Sequence, residues 1–183
     1  GNAEEKTVAV IMSTSLGDIE MVVYPEKAPL SAGDFLNYVD RGLYQGAAFY
    51  RVVRPDNDNG TPVIETIQGG LLTETPPTKP IAHESTQQTG IKHLNGTISL
   101  ARRDVGSATA AAFFIIIGDQ PSMDFGGSRT ADKQGFSAFG HVVKGMEVVR
   151  AIQQIRETSN EGPFVKGQML SNPIAIESVK RKS

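Results

Sequence analysis

Phe49-Tyr50-Arg51-Val52-Val53 is the stretch on which the reading of this chain turns. It is aromatic and β-branched with one cation inside it, and such a run reads as a strand. Side chains on a strand alternate between two faces, so the arginine stands on one face of an apolar ribbon. Two later pieces give it meaning. Gln68-Gly69-Gly70 supplies an amide side chain beside a flexible glycine pair, and Phe113-Phe114-Ile115 supplies adjacent aromatics that must face opposite sides. Together they can line an apolar cleft with a fixed cation at its edge. That is a poor arrangement for hydrolysis and a good one for holding a proline-containing peptide.

The chain has 183 residues, which makes one domain spanning 1–183 the natural expectation, with enough length to bury a sizeable core. Residues 1–5 read as a flexible N-terminus and 180–183 as a solvated basic tail. The net charge of −2 gives no broad attraction to nucleic acid or anionic lipid. No apolar run reaches the length of a membrane span, so no membrane insertion is expected. Cysteine is absent, which excludes disulfides, thiolate metal sites and a cysteine nucleophile. The chain opens Gly-Asn-Ala-Glu-Glu without an initiator methionine, as it would after removal of a signal peptide or at an arbitrary boundary.

Periodicity predicts strands near 7–13, 18–24, 47–53, 63–69, 97–101, 112–117, 137–142 and 174–179. Leu16-Gly17 suggests a hairpin between the first two. Ser31-Ala32-Gly33-Asp34 resembles a capping box with Asp in place of Glu, opening a helix over 31–41 that Gly42 stops. A second helix fits 145–155. The expected fold is mainly β, a closed barrel with helices over its ends. The irregular stretches 54–60, 71–96, 118–135 and 156–173 are long for a compact domain, and long ordered loops tend to carry function.

The ordered set of these pieces resembles the cyclophilins, a family of peptidyl-prolyl cis/trans isomerases. It runs from the opening hairpin and the Ala28-Pro29 helix through Phe49–Val53, Gln68-Gly69-Gly70, Gly96–Arg102 and Phe113-Phe114-Ile115. It ends with Gly135–Val142 and the last strand. The resemblance implies an eight-stranded antiparallel barrel capped by two α-helices, with the peptide groove on its outer face. It also implies rotation of X-Pro bonds in unfolded or partly folded protein clients, with no cofactor and no metal, by a monomer. Carried over by position, Arg51 matches the catalytic arginine, Gln68 the glutamine that holds it, and Phe114 the floor of the proline pocket. Phe49, Thr66, Ala101, Arg102, Ala112, Met123 and Phe136 fill the substrate-binding positions. A periplasmic or secreted setting is expected, with a cytoplasmic one as the alternative.

The sequence departs from the family at several points. Glu65-Thr66-Ile67 replaces a more apolar wall, Ala111-Ala112 deletes a side chain that touches substrate, and Ser122 stands where a tryptophan favours cyclosporin binding. Reduced cyclosporin sensitivity is therefore expected. The segments between Arg51 and Gln68 and between Asp124 and Phe136 are longer than usual. These departures motivate a second reading, a peptide-binding chaperone module with weak turnover. A third is a ligand-enclosing barrel of lipocalin type. His83, His93 and His141 lack metal-ligand spacing and read as structural or solvated, and no Ser-His-Asp context is evident. Asp56-Asn57-Asp58-Asn59-Gly60 fails the calcium-loop pattern and reads as a solvated turn. Asn95-Gly96-Thr97 is formally a glycosylation acceptor but reads as a turn.

Overall fold

A computed structural model describes residues 6–160, 162 and 165–183; the segment 1–5 read as flexible lies outside them. The strands are β1 (Val8–Thr14), β2 (Gly17–Val23), β3 (Ala48–Val53), β4 (Thr66–Gly70), β5 (Thr97–Leu100), β6 (Ala112–Ile116), β7 (Ser137–Lys144) and β8 (Met169–Arg181). They close into an antiparallel barrel in the order β1-β2-β7-β5-β6-β4-β3-β8, with β8 pairing back onto β1. Helices α1 (Pro29–Asp40) and α3 (Met146–Gln153) are joined by a single turn, α2 (Thr86–Thr89), that the sequence pattern did not signal. No helix among the described residues is long and apolar enough to cross a membrane.

The barrel is filled. Val10, Met12, Ile19, Met21, Phe49, Ile67, Ile98, Leu100, Phe113, Ile115 and Phe139 are all fully buried within one cluster. That excludes a ligand-enclosing interior. Helix α1 adds Phe35, whose ring lies 5.1 Å from Phe139 and 6.3 Å, edge-on, from Phe113. Helix α3 contributes Val148, Val149 and Ile152 to the same cluster. Gly69 makes room for this packing, since a Cβ there would meet the Phe49 ring at 2.7 Å. At Gly70 the backbone has φ +128°, and a Cβ would sit 2.0 Å from the Ala111 carbonyl oxygen. The glycine pair is therefore a packing requirement of β4, Gly69 against β3 and Gly70 against the chain entering β6.

Helix α1 does not begin as its sequence suggests. It starts at Pro29, where the fixed φ and missing N–H suit the first helical position. Ala28 cannot cap it, and Ser31 is already inside. The cap comes from Glu84, far along the chain. Its buried carboxylate accepts from the Leu30 N–H (3.1 Å), the Ser31 N–H (2.7 Å) and the Ser31 hydroxyl (2.7 Å). Asp34 instead accepts from the Ala110 N–H at 2.7 Å. Both carboxylates tie the long 71–96 and 101–111 connections to the helix. The basic tail also departs from its reading. Lys180 and Arg181 belong to β8, and Arg181 pairs with Asp40 at 2.8 Å.

Glu84→Ala removes a charged acceptor from three donors and should lower stability by about 2–3 kcal/mol in urea unfolding. An unchanged midpoint would show that α1 needs no cap from the loop.

Candidate functional site

The barrel's outer face carries a second apolar cluster formed by Val53, Ile64, Phe114, Ile116 and Met123, with Ala101 and Phe136 packed against it. Strand register puts the polar edge of this cluster in a row. Arg51 on β3 pairs with Gln68 on β4, which pairs with Phe114 on β6, which pairs with Ser99 on β5. At two strand spacings, the Arg51 and Phe114 backbones lie about 10 Å apart, with side chains on the same face. Phe113 faces the core and Phe114 the outside, where its ring meets Phe136 edge-on at 5.4 Å.

A bulge aims the arginine. The β3–β4 register slips between Phe49 and Arg51, so Tyr50 is the extra residue and both Tyr50 and Arg51 project outward. This corrects Phe49. Regular alternation would place it on the face of Arg51, but the bulge turns it inward, where it is fully buried and stacks edge-on against Phe113 at 5.9 Å. It cannot touch a peptide.

Two neutral amides hold the guanidinium. Arg51 Nε donates to Gln168 Oε1 at 2.9 Å, and Nη1 donates to Gln68 Oε1 at 3.1 Å. Gln68 Nε2 donates to the Tyr50 hydroxyl at 3.0 Å. Among the described residues no carboxylate bonds to Arg51. Burial pushes its pKa down from the ordinary arginine value, the Arg129 charge adds to that, and Tyr50 and Asp58 oppose it. Arginine nevertheless stays protonated at neutral pH. Two of its five donors are used, which leaves three. Burial also raises the Tyr50 phenol, against the Gln68 hydrogen bond.

Beside this row lies an open cleft of about 470 Å³ lined by Tyr50, Gln68, Ala101, Arg102 and Ala112 on one side and by Leu71, Glu74 and Pro76 of the long loop on the other. Three residues assigned to the binding set have other duties. The Arg102 side chain is only 4% exposed and pairs with Asp132 at 2.9 Å. It also donates to the Gly135 carbonyl and lies 5.3 Å over the Phe136 ring. It clamps the segment carrying Phe136. Arg102 holds the Asp132 carboxyl well below the usual range, so the clamp's contribution, complete above the ordinary carboxylate pKa, is lost only in strong acid. Thr66 shares the Gln68 face but is fully buried, and its hydroxyl has no partner. Met123 is likewise fully buried and serves as the base of the cluster. Glu65 turns away from the cluster to accept from Gln153 on α3 at 3.2 Å.

The two extended segments meet over this cluster. Arg129 forms a two-pronged pair with Asp58 (2.7 and 2.9 Å) and donates to the Pro62 carbonyl. Burial raises the Asp58 carboxyl, but Arg129 and the Gly60 and Ile64 N–H groups outweigh it and hold it below the ordinary value. The 56–60 stretch is a turn with Asp56 and Asn59 exposed, as expected, but the Asp58 side chain is completely enclosed and not solvated. A Ser-His-Asp chain also exists, contrary to the sequence reading. His93 bonds Asp124 at 2.7 Å and Ser99 at 2.9 Å. Both Ser99 and His93 are fully buried, which denies the serine any access to substrate. The chain braces Met123 and Phe136 instead, the His93 ring meeting Phe136 edge-on at 6.5 Å. Gln168 and Arg129 were not singled out from sequence, and Tyr50 and Asp58 were named there without a part in this site. Gln168 reaches Arg51 across 117 residues from an aperiodic stretch, so no local pattern marks it.

Thr66→Val replaces an unpartnered buried hydroxyl by an apolar isostere and should raise stability by about 1–2 kcal/mol. A loss in urea unfolding would mean that the hydroxyl is bonded.

Comparison with known proteins bears on the family and the fold. Residues 9–180 match the family model of the cyclophilin type peptidyl-prolyl cis-trans isomerase/CLD. Peptidyl-prolyl cis-trans isomerase A of Dickeya dadantii is 35% identical over 93% of this chain and 83% of its own length. An isomerase of Acinetobacter baylyi is 34% identical over 95% and 85%. Among solved structures, a cyclophilin type peptidyl-prolyl cis-trans isomerase of Cryptosporidium parvum superposes with a TM-score of 0.72 at 18% identity. It covers 97% of this chain and 99% of that one. With a family match over nearly its whole length and the same closed barrel, this chain belongs to the cyclophilin-type peptidyl-prolyl cis-trans isomerases.

Proposed function

We propose that the chain rotates X-Pro peptide bonds in exposed or unfolded segments of protein clients, and that Arg51 stabilises the twisted bond. The observation that carries this is an arginine fixed by neutral amides at the rim of an outward apolar cluster floored by Phe114. Rotation about a peptide bond meets a barrier of roughly 18–20 kcal/mol because it breaks amide resonance. The X-Pro end states differ by only about 0.5–1 kcal/mol, yet exchange takes tens to hundreds of seconds. No bond is cut, so the catalyst must favour the twisted form alone.

Twisting localises the nitrogen lone pair. A planar imide nitrogen is a poor acceptor, whereas a twisted one is good. A donor aimed there gains most in the transition state, the condition for raising turnover. Arg51 has donors to spare and its charge is not cancelled by a carboxylate. Phe114, Phe136 and Ala101 supply the apolar seat for the proline ring while the carbonyl side turns. A related C. parvum structure was determined in the presence of the dipeptide Ala-Pro, which supports a proline-containing ligand for this fold.

One charge-assisted hydrogen bond of about 1.5–3 kcal/mol corresponds to roughly 10–150-fold in rate. Arg51→Ala should therefore lower kcat/KM by about that factor in NMR exchange measurements on an X-Pro peptide, with the fold intact. Because arginine stays charged, the wild-type rate should be flat from about pH 6 to about pH 9. Equal rates for wild type and Arg51→Ala would remove the mechanism. Proline-peptide binding without any acceleration by wild type would favour a chaperone module, a reading supported by the buried Thr66 and the small Ala112.

A further inference from the structure

Gln168 sits where a carboxylate would be the obvious partner for a buried arginine. It is fully buried, yet its side chain makes a bond at each end. Its carbonyl oxygen accepts from Arg51 Nε at 2.9 Å, and its amide nitrogen donates to the Asn57 carbonyl at 2.9 Å. The partners fix the orientation, since Nε–H can only donate and a backbone carbonyl can only accept. The backbone of Gln168 is held as firmly. Its carbonyl accepts from the Val52 N–H at 2.9 Å, and its own N–H donates to the Val165 carbonyl at 2.9 Å.

The loop after Arg51 is folded around this residue. Asn57 Nδ2 donates to the Val52 and Gly167 carbonyls, both at 3.1 Å, and its Oδ1 accepts from the Arg54 N–H at 2.6 Å. Asn57 thus staples β3 to the turn before β8 and presents its own carbonyl to Gln168. The charged and titratable groups nearest Arg51 are Tyr50 on the same strand, Asp58 in the loop and Arg129 from the other extended segment, the last two paired to each other.

We propose that Gln168 is a positioning residue that aims Arg51 at the rotating bond while leaving its charge uncompensated. This rests on the reading of Arg51 given above. A carboxylate at this position would hold the guanidinium equally well but would cancel the charge that the twisted nitrogen is meant to feel. A neutral amide holds it without that loss.

Gln168→Glu separates aim from charge. When ionised, the new carboxylate neutralises Arg51 and loses the donor to Asn57. When protonated, it reproduces the amide, accepting from Nε and donating to Asn57. At neutral pH kcat should fall about tenfold or more, while peptide affinity stays within about threefold. Lowering the pH through the new carboxyl's titration should restore kcat in this variant, with no such rise in wild type or in Gln168→Leu. NMR exchange on an X-Pro peptide reads all three. Equal, pH-independent losses in the Glu and Leu variants would reduce Gln168 to a structural role and overturn the proposal. A drop in Arg51→Ala alongside unimpaired Gln168→Glu would do the same while leaving the Arg51 mechanism standing. Should the Glu variant fail to fold, wild-type protein supplies the test. The Arg51 Nε–H should exchange with solvent far more slowly than that of exposed Arg103, and equally fast exchange would overturn the proposal.

Discussion

Everything at this site depends on a guanidinium that is fixed but not neutralised. Arginines commonly find carboxylates, and several do so here: Arg102 with Asp132, Arg129 with Asp58 and Arg181 with Asp40. Arg51 is held by two glutamine carbonyls instead. Partial burial strengthens any field it exerts on a bound amide, because the local dielectric is lower than that of water. On the proposed mechanism, the arrangement keeps a cation available to an acceptor that exists only while the peptide bond is twisted.

The rest of the fold can be understood as support for that geometry. The β3 bulge sends Tyr50 and Arg51 outward together, while Gly69 lets the Phe49 ring turn in beneath them. The extended loop after Arg51 seats Gln168 through Asn57, and its Asp58 joins Arg129 from the segment before Phe136. The buried His93–Asp124 pair and the Arg102–Asp132 clamp fix that second segment from its other side. The two long segments that distinguish this chain are therefore held on each other and on the barrel, beside the outer apolar cluster.

The fold was legible from the sequence because closed antiparallel barrels leave short apolar or alternating runs between turn signals, as in β1 and β2, although β5 and β6 are buried almost throughout. Arg51, Gln68 and Phe114 were legible as a row because strand pairing brings them to one face. What failed was local in character. Phe49 was misplaced because a bulge is a one-residue slip that alternation cannot register. Thr66 was misread because a position on the correct face says nothing of what covers it. The Ser31 capping box lost to Glu84, a partner 53 residues away. Gln168 and the Ser99–His93–Asp124 chain were invisible for the same reason. Their partners meet only after the barrel has closed.

The central claim is most directly tested by a crystal structure of this chain with a bound X-Pro peptide. The account predicts the proline ring against Phe114 and Phe136, an Arg51 Nη group within hydrogen-bond reach of the imide nitrogen, and Nε still on Gln168. A proline ring seated elsewhere, or an Arg51 swung onto a carboxylate, would contradict it.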